Sequence, residues 1–447
     1  MKKVLAFLVP VFGAIYLSAY IRSAVLDVVY TDYIRIINTY LYHPFSPVLY
    51  FRKDALTRLP ITFFERLINI IFFKYSTMFD MTLGVIFLAL MGLVIGLFMA
   101  KKNIKINYFI LVMMMVFSLS QWEMLTNGTG WVHFFAFFLF VVHFQLFDNY
   151  MHEETKGRFI LNIVLPVFTI IFVAGSYSLA YGATMMVAYI FYFFYKGKRN
   201  MLIFSIPVIL AVALFMYSYT HSDTVNAGAT TESFMTVFQR DPLYFLSFGL
   251  NTFASDIISV ELVNEFEIST YITGVIGFTV VIFYLYTLYL NFKHEVYKAT
   301  IFPLLLTISG LFSHIMVILT RWIFLDPIYA MSSRYSLQFG AGLMGIILTF
   351  AMLKSEPQKT LIKGFAKPAL NLFVLLVFVG NVSTAANEIR MAKYRMETFV
   401  VKMEVAKNFE NESDETLKST LQYHNPLKIR EALTLIKSNK WNIFNEK

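Results

Sequence analysis

Residues 80–105 read DMTLGVIFLALMGLVIGLFMAKKNIK. Beyond Asp80 the stretch runs from Met81 to Ala100 without a charge and then meets Lys101, Lys102 and Lys105. About 20 apolar residues in a helix rise about 30 Å, the thickness of the hydrocarbon core of a bilayer. An uncharged run of that length, closed by lysines, reads as a membrane span.

The same pattern recurs along the chain. Spans are expected near 4–21, 80–100, 106–121, 131–148, 159–175, 180–195, 201–219, 269–291, 300–319, 336–353 and 368–386. The fold class is therefore all-α, a polytopic transmembrane bundle of about eleven spans. Of the 447 residues 58% are hydrophobic, 18% aromatic and only 15% charged, whereas a soluble domain carries about 25% charged residues. Lys2 and Lys3 precede the first span as in a signal peptide. No small-residue cleavage site follows, so the segment is expected to stay as an anchor.

Lysine and arginine in short connections orient such a bundle. With a cytoplasmic N-terminus, the cytoplasmic loops hold Lys101, Lys102 and Lys105, then Lys156 and Arg158, then Lys196, Lys198 and Arg199. Lys293 and Lys298 follow, and finally Lys354, Lys359, Lys363 and Lys367. The opposite connections near 122–130 and 176–180 hold no Lys or Arg. This alternation accounts for most of the net charge of +9 and leaves nucleic acid without a role. Heavy Lys, Asn, Ile and Phe usage is typical of AT-rich bacterial genomes, so the expected location is a bacterial cytoplasmic membrane with the C-terminal tail outside.

One membrane domain, residues 1–386, and an extracytoplasmic tail, 387–447, are expected. Two outer connections are long. In the first, 22–79, Thr62, Glu65, Arg66 and Asn69 fall on one helical stripe with apolar residues around it, as in a helix lying in the membrane interface. Asp32, Arg35 and Asn38 line one side of its first half. The second, 220–268, is acidic: Asp223, Glu232, Asp241, Asp256, Glu261, Glu265 and Glu267 face a single strong base, Arg240. The tail reads as short helices in SDETLKSTLQYH (413–424) and NPLKIREALTLIKS (425–438). No internal repeat of the inverted-transporter kind is visible.

Zero cysteines exclude disulfides, thiolate metal sites and cysteine nucleophiles. Phosphate-loop, His-Glu-x-x-His and Gly-x-Ser-x-Gly signatures are absent. What remains is a set of ionisable and aromatic residues at the outer ends of spans: Asp27 and Asp32, then Trp122, Glu123, Asn127 and Trp131, then Arg321, Asp326, Arg334 and Tyr335. Charges near lipid are costly and usually face a cavity or a partner. Each also has a structural reading. Asp32 and Arg35 make a surface pair three apart, Glu65 and Arg66 solvate an interfacial helix, Trp122 and Trp131 sit where an aromatic belt belongs, and Arg334 is a snorkelling anchor. His133, His143 and His314 fall inside spans, where a lone histidine more often bonds a neighbouring helix.

Four stretches, LTRLPITFFERLINIIFF (56–73), SLSQWEMLTNGTGW (118–131), GSYSLAYG (175–182) and SSRYSLQF (332–339), together with an early outer aspartate and an interfacial helix, resemble the GT-C glycosyltransferase superfamily. The resemblance is to a group of bacterial GT-C-like membrane proteins. Met124 stands where that group has Asn after Trp-Glu, and its His-rich first loop is missing.

The resemblance implies an inverting transferase that takes a sugar from a polyprenyl-phosphate carrier and passes it to a cell-surface glycan or lipid acceptor. It implies Asp32 as general base with Asp27 as the other candidate, and Arg334, Arg66 and Arg321 as lipid-phosphate ligands. Trp122, Trp131, Tyr181 and Tyr335 would stack on sugar or acceptor, and Glu123 and Asn127 would bond their hydroxyls. No cofactor is expected, although the outer carboxylates leave a divalent cation open. Two further readings stay open, a flippase for lipid-linked sugars and an O-antigen-type polymerase or ligase.

Overall fold

A computed structural model describes residues 2–51, 61–220, 228–355 and 366–445. Asp223, Lys359, Lys363 and the first five residues of the 56–73 motif lie outside the described residues. Among the described residues every regular element is helical. The long or site-bearing helices are α1 (Lys2–Ala24), α2 (Ile61–Phe73), α3 (Thr77–Lys101), α4 (Ile106–Val116), α5 (Trp131–His152), α6 (Lys156–Phe172), α7 (Ser178–Lys196) and α8 (Asn200–Thr220). They continue with α9 (Pro242–Ala254), α10 (Thr270–Lys293), α11 (Phe302–Arg321), α12 (Ser336–Ser355), α13 (Ala366–Lys407), α14 (Asp414–Leu421) and α15 (Pro426–Ser438).

Among the described residues ten helical stretches are long and apolar enough to cross a bilayer. The remaining expected span is covered by α6, a helix of 17 residues. Several of these helices are apolar all round. Phe7, Phe12 and Ile15 of α1, Ile282 and Leu285 of α10, and Leu375 and Val379 of α13 point outward, which suits contact with lipid rather than water. The chain is an all-helical, multi-pass membrane bundle.

The lysine-rich connections gather at one end. Lys2 donates to the carbonyl of Asn103 at 2.9 Å, Lys102 to that of Ala299 at 2.7 Å, and His152 Nε2 lies 3.1 Å from the same oxygen. α1 packs on α3, α3 on α5, α7 on α11, and α11 on α12. The last crossing is backbone on backbone: a Cβ on Gly310 would lie 2.4 Å from the Cα of Gly342. Small residues permit such approach between membrane helices, and here it fixes α11, which ends on Arg321, against α12, which starts two residues after Arg334.

Differences from the sequence reading cluster at the other end. The span expected over 106–121 stops at Val116. Ser118 Oγ accepts from Ser120 N at 3.1 Å and Gln121 Nε2 donates to the freed Val116 carbonyl at 3.0 Å, so the polar side chains pay for the break. A second break precedes α12, where Trp322–Phe324, Pro327–Met331 and Ser333–Tyr335 form 3-10 turns. The span expected over 106–121 is therefore interrupted, whereas α11 and α12 cover those expected over 300–319 and 336–353, with the second break in the connection between them.

The acidic 220–268 connection is largely helical. Glu232 pairs with Arg240, Asp241 caps α9 through Tyr244 N at 3.0 Å, Asp256 lies 3.3 Å from His314, and Glu265 pairs with Arg390. In α2 the polar stripe is the inward face: Thr62, Glu65, Arg66 and Asn69 are buried, while Phe64, Ile68, Ile71 and Phe72 are exposed. Asn69 donates to Ser76 O at 2.9 Å and Asp80 Oδ1 at 2.7 Å, and Tyr33 donates to Asp80 Oδ2 at 2.6 Å.

The boundary expected at 386/387 falls inside α13. A helix of 42 residues is about 60 Å long, twice the hydrocarbon thickness, so its second half leaves the bundle. Two caps then fold the tail back: Ser413 on Thr416 N at 3.1 Å and Asn425 on Lys428 N at 3.2 Å. The tail closes on the first connection through Thr31 N to Leu421 O at 2.8 Å, Asn38 Nδ2 to Lys428 O at 2.7 Å and Asn442 N to Lys74 O at 2.7 Å.

Candidate functional site

The first connection, the two helix breaks and the tail together enclose a cavity of about 600 Å³, within the ordinary size of a ligand pocket. Each of its walls comes from a different part of the chain. Tyr30, Thr31, Asp32 and Arg35 come from the first connection, Trp122, Glu123 and Asn127 from the first break, and His133 and Tyr177 from helix starts. Arg321, Arg334 and Tyr335 come from the second break, and Arg395, Phe399 and Lys402 from α13.

Asp32 opens a short helix, Asp32–Ile36. Thr31 before it has φ 44°, a region β-branched residues avoid at a cost of about 1–3 kcal/mol. Its amide donates to Leu421 O, so the tail helps to hold the bend that presents Asp32. Burial, with the Glu123 and Asp32 carboxylates nearby, pushes the Tyr30 phenol above its ordinary pKa. The two lining carboxylates thus share one phenol as neighbour.

The QWE and SSRY stretches meet side chain to side chain. Glu123 forms an ion pair with Arg334 and accepts from Ser332 Oγ and Ser333 Oγ, each at 3.2 Å. Trp122 donates its indole N–H to Glu261 at 2.7 Å and lies under the Arg395 guanidinium, 3.2 Å from the ring centre. Arg395 is in turn held by Glu388, with Nε at 3.0 Å and Nη2 at 2.7 Å. Asn127 caps the next turn through Thr129 N at 3.1 Å. That turn needs glycine at 128, where a Cβ would lie 1.9 Å from the Tyr33 hydroxyl.

Arg321 ends α11 and, among the described residues, has no hydrogen bond or ion pair. Lys402 is 5% exposed, with its ammonium over the faces of Tyr30 at 4.2 Å and Phe399 at 4.7 Å. Five cationic side chains and two carboxylates line the space. Its chemistry is that of a site for anions.

Seven of the residues named from sequence line this one cavity: Asp32, Trp122, Glu123, Asn127, Arg321, Arg334 and Tyr335. Four do not. Asp27 accepts from Ser76 Oγ, Thr77 N, Thr77 Oγ1 and Asn442 Nδ2 at 2.6–2.9 Å. Arg66 is buried against the Tyr40 ring at 4.4 Å. Trp131 stacks on Phe87 at 6.1 Å. Tyr181 lies deep in the bundle, 2.5 Å from His143 Nδ1 and stacked on Phe140. Each is absorbed by structure already built.

Sequence reasoning missed Arg395, Phe399 and Lys402, which looked like members of a charged tail. Their spacing of i, i+4 and i+7 is one helical stripe, and that was the available signal. Among the described residues no group of three or more His, Asp or Glu side chains is placed to hold a metal ion. The chain matches no family model, no curated protein and no solved structure.

Proposed function

We propose that the cavity is the active site of an inverting glycosyltransferase that uses a polyprenyl-phosphate-linked sugar. The lysine-rich end is taken as cytoplasmic, so the cavity opens on the outer face of a bacterial cytoplasmic membrane. One observation carries the reading. Asp32 and the pair Arg321 and Arg334, about three hundred residues apart in sequence, line the same anion-favouring space at the ends of membrane helices.

In the reaction an acceptor hydroxyl attacks the anomeric carbon from the face opposite the lipid phosphate. Asp32 takes the hydroxyl proton as the new C–O bond forms, and the bond from the anomeric carbon to the phosphate oxygen breaks. The electron pair leaves with polyprenyl phosphate, whose growing charge Arg321 and Arg334 stabilise. Glu123 holds Arg334 in place, and Trp122, already under the Arg395 guanidinium, borders the space beside it. A positioned base contributes about 10²–10⁴-fold in rate.

The filling of the bundle supports transfer over transport. Phe134, Phe144, Phe147 and Tyr181 are fully buried along α5 and α7, so large aromatic side chains fill the space between those helices. The helix breaks lie at the cavity, where they supply its lining.

The test is transfer of radiolabelled sugar from a panel of polyprenyl-phosphate sugars in membranes holding wild type, Asp32→Asn or Arg334→Ala. The reading expects wild-type transfer, a loss of about 10²-fold or more in Asp32→Asn, and weaker donor use in Arg334→Ala. Full activity in Asp32→Asn removes the base. Labelled lipid crossing the membrane with its sugar still attached favours the flippase.

A further inference from the structure

We propose that a small cavity beside the two helix breaks is a site for one monovalent cation, with sodium as the probe, held on Asp256. The site shares no lining residue with the large cavity and stands whether or not the chain transfers sugar.

Four separate segments meet there. Ser120 belongs to the first break, Ser255 and Asp256 follow α9, Ser336 starts α12, and Asn381 and Thr384 lie on α13. The backbones come closest at Gly380, where a Cβ would lie 1.9 Å from the carbonyl oxygen of Ile257. The space is about 30 Å³. One water takes about 10–15 Å³ of such space, so a single small ion fits and a sugar does not.

The lining presents lone pairs. Ser255 Oγ donates to Thr252 O at 2.6 Å, Ser336 Oγ to Ser120 O at 2.9 Å, and Asn381 Nδ2 to Val377 O at 3.0 Å. A hydroxyl has a single proton to give. With that proton committed to the backbone, Ser255 and Ser336 can only accept, and Asn381 keeps its carbonyl oxygen as an acceptor. Such a lining rejects an anion and suits a hard cation, which binds through oxygen.

Asp256 supplies the charge. Its side chain is 1% exposed, and its ion-pair partner is His314, with Nε2 3.3 Å from Oδ2. Oδ1 has no hydrogen-bond partner among the described residues. The His314 ring lies between Phe253 and Phe339, 4.0 Å from each, and its Nδ1 also has no partner among the described residues. The Tyr284 hydroxyl, 3.4 Å from the same Nε2, adds no charge. Facing a carboxylate, Nε2 carries a proton. A second proton on Nδ1 would make a charged donor with nothing to bond. The neutral ring fits, so the pair keeps one negative charge. A buried carboxylate without a counter-charge is costly. A water would fill the space without neutralising it, whereas one monovalent cation does both. Divalent sites gather several carboxylates, and here there is one.

The experiment uses the purified full chain in detergent, with radioactive sodium as the probe and choline chloride holding the ionic strength. Wild type should bind sodium one-to-one. It should also melt at a higher temperature in sodium chloride than in choline chloride, because a ligand of the folded state stabilises it. Asp256→Asn should weaken binding by about tenfold or more and erase the melting difference. Ser255→Ala, which leaves the pair with His314 intact, should weaken binding by about three- to tenfold. Asp32→Asn, in the large cavity, should bind sodium as wild type does.

Absence of sodium binding by wild type above the choline background overturns the proposal and leaves the space to water. Unchanged binding in Asp256→Asn overturns it as well; where that variant does not fold, unchanged binding in Ser255→Ala decides the same way. Loss of binding in Asp32→Asn alone overturns it by moving the ion to the large cavity. Displacement of the label by an equal concentration of magnesium refutes the monovalent assignment.

Discussion

Asp27 offers the clearest separation of brace from catalyst. Its carboxylate accepts four hydrogen bonds that join three segments: Ser76 and Thr77 at the start of α3, and Asn442 of the tail. A bond to a charged acceptor contributes about 1.5–3 kcal/mol when fully buried. Asp27 is half-buried, so water replaces part of the loss and about 1 kcal/mol per bond is the fitting scale. Asp27→Ala should therefore cost about 3–4 kcal/mol in all. Asn at this site keeps an oxygen for Thr77 and Asn442, and Ser76 Oγ can accept from the new amide, so Asp27→Asn should cost only about 1 kcal/mol. The assay is loss of the monodisperse chromatographic peak on heating in detergent, together with unfolding by SDS. Asp27→Ala melting like wild type would refute the brace. Asp27→Asn folding normally but losing all transfer would make Asp27, and not Asp32, the base.

Three other perturbations test neighbouring parts of the account. Thr31→Gly removes the positive-φ strain at φ 44°, worth about 1–3 kcal/mol, against a backbone-entropy cost of about 0.5–1 kcal/mol; a small rise in melting temperature is expected, and a clear fall would contradict the strain. Burial holds the Glu65 carboxyl above its ordinary pKa, although its hydrogen bond with Asp80 and the Arg66 charge pull it down. The folded state then binds more protons than the unfolded one, so this contribution to stability is present at low pH and is lost as pH rises through the folded value. Melting curves across pH should show that decline in wild type and a flatter profile in Glu65→Gln; equal slopes would refute it. Gly310→Ala drives a methyl into the Gly342 backbone at 2.4 Å and should lower stability by about 1–3 kcal/mol or more; weaker donor binding should accompany it, because Arg321 ends one of the crossing helices and Arg334 lies two residues before the other.

The positions of the long apolar helices were legible in the sequence because uncharged hydrophobic runs mark them directly. The helix break at Phe117 was not, although the one before Ser336 falls where the sequence already left a connection. The first depends on Ser118 and Gln121 satisfying backbone groups locally, and that shows only once the chain is folded. The meeting of Glu123 with Ser332, Ser333 and Arg334 was legible only as two separate clusters. Asp32 was placed ahead of Asp27 as base by the resemblance alone, since nothing in the sequence distinguishes a carboxylate already holding four donors from one at a cavity wall. Lys402 was hidden because its burial comes from Tyr30, which lies at the other end of the chain.

Separating donor binding from donor cleavage tests the central claim most directly. Polyprenyl-phosphate sugar labelled in its phosphate is given to the purified chain in nanodiscs with an acceptor mixture, and bound donor and released lipid phosphate are measured together. The account predicts that wild type binds and cleaves, that Asp32→Asn binds equally and cleaves about 10²-fold or more slowly, and that Arg334→Ala loses binding. Equal cleavage by wild type and Asp32→Asn would contradict it.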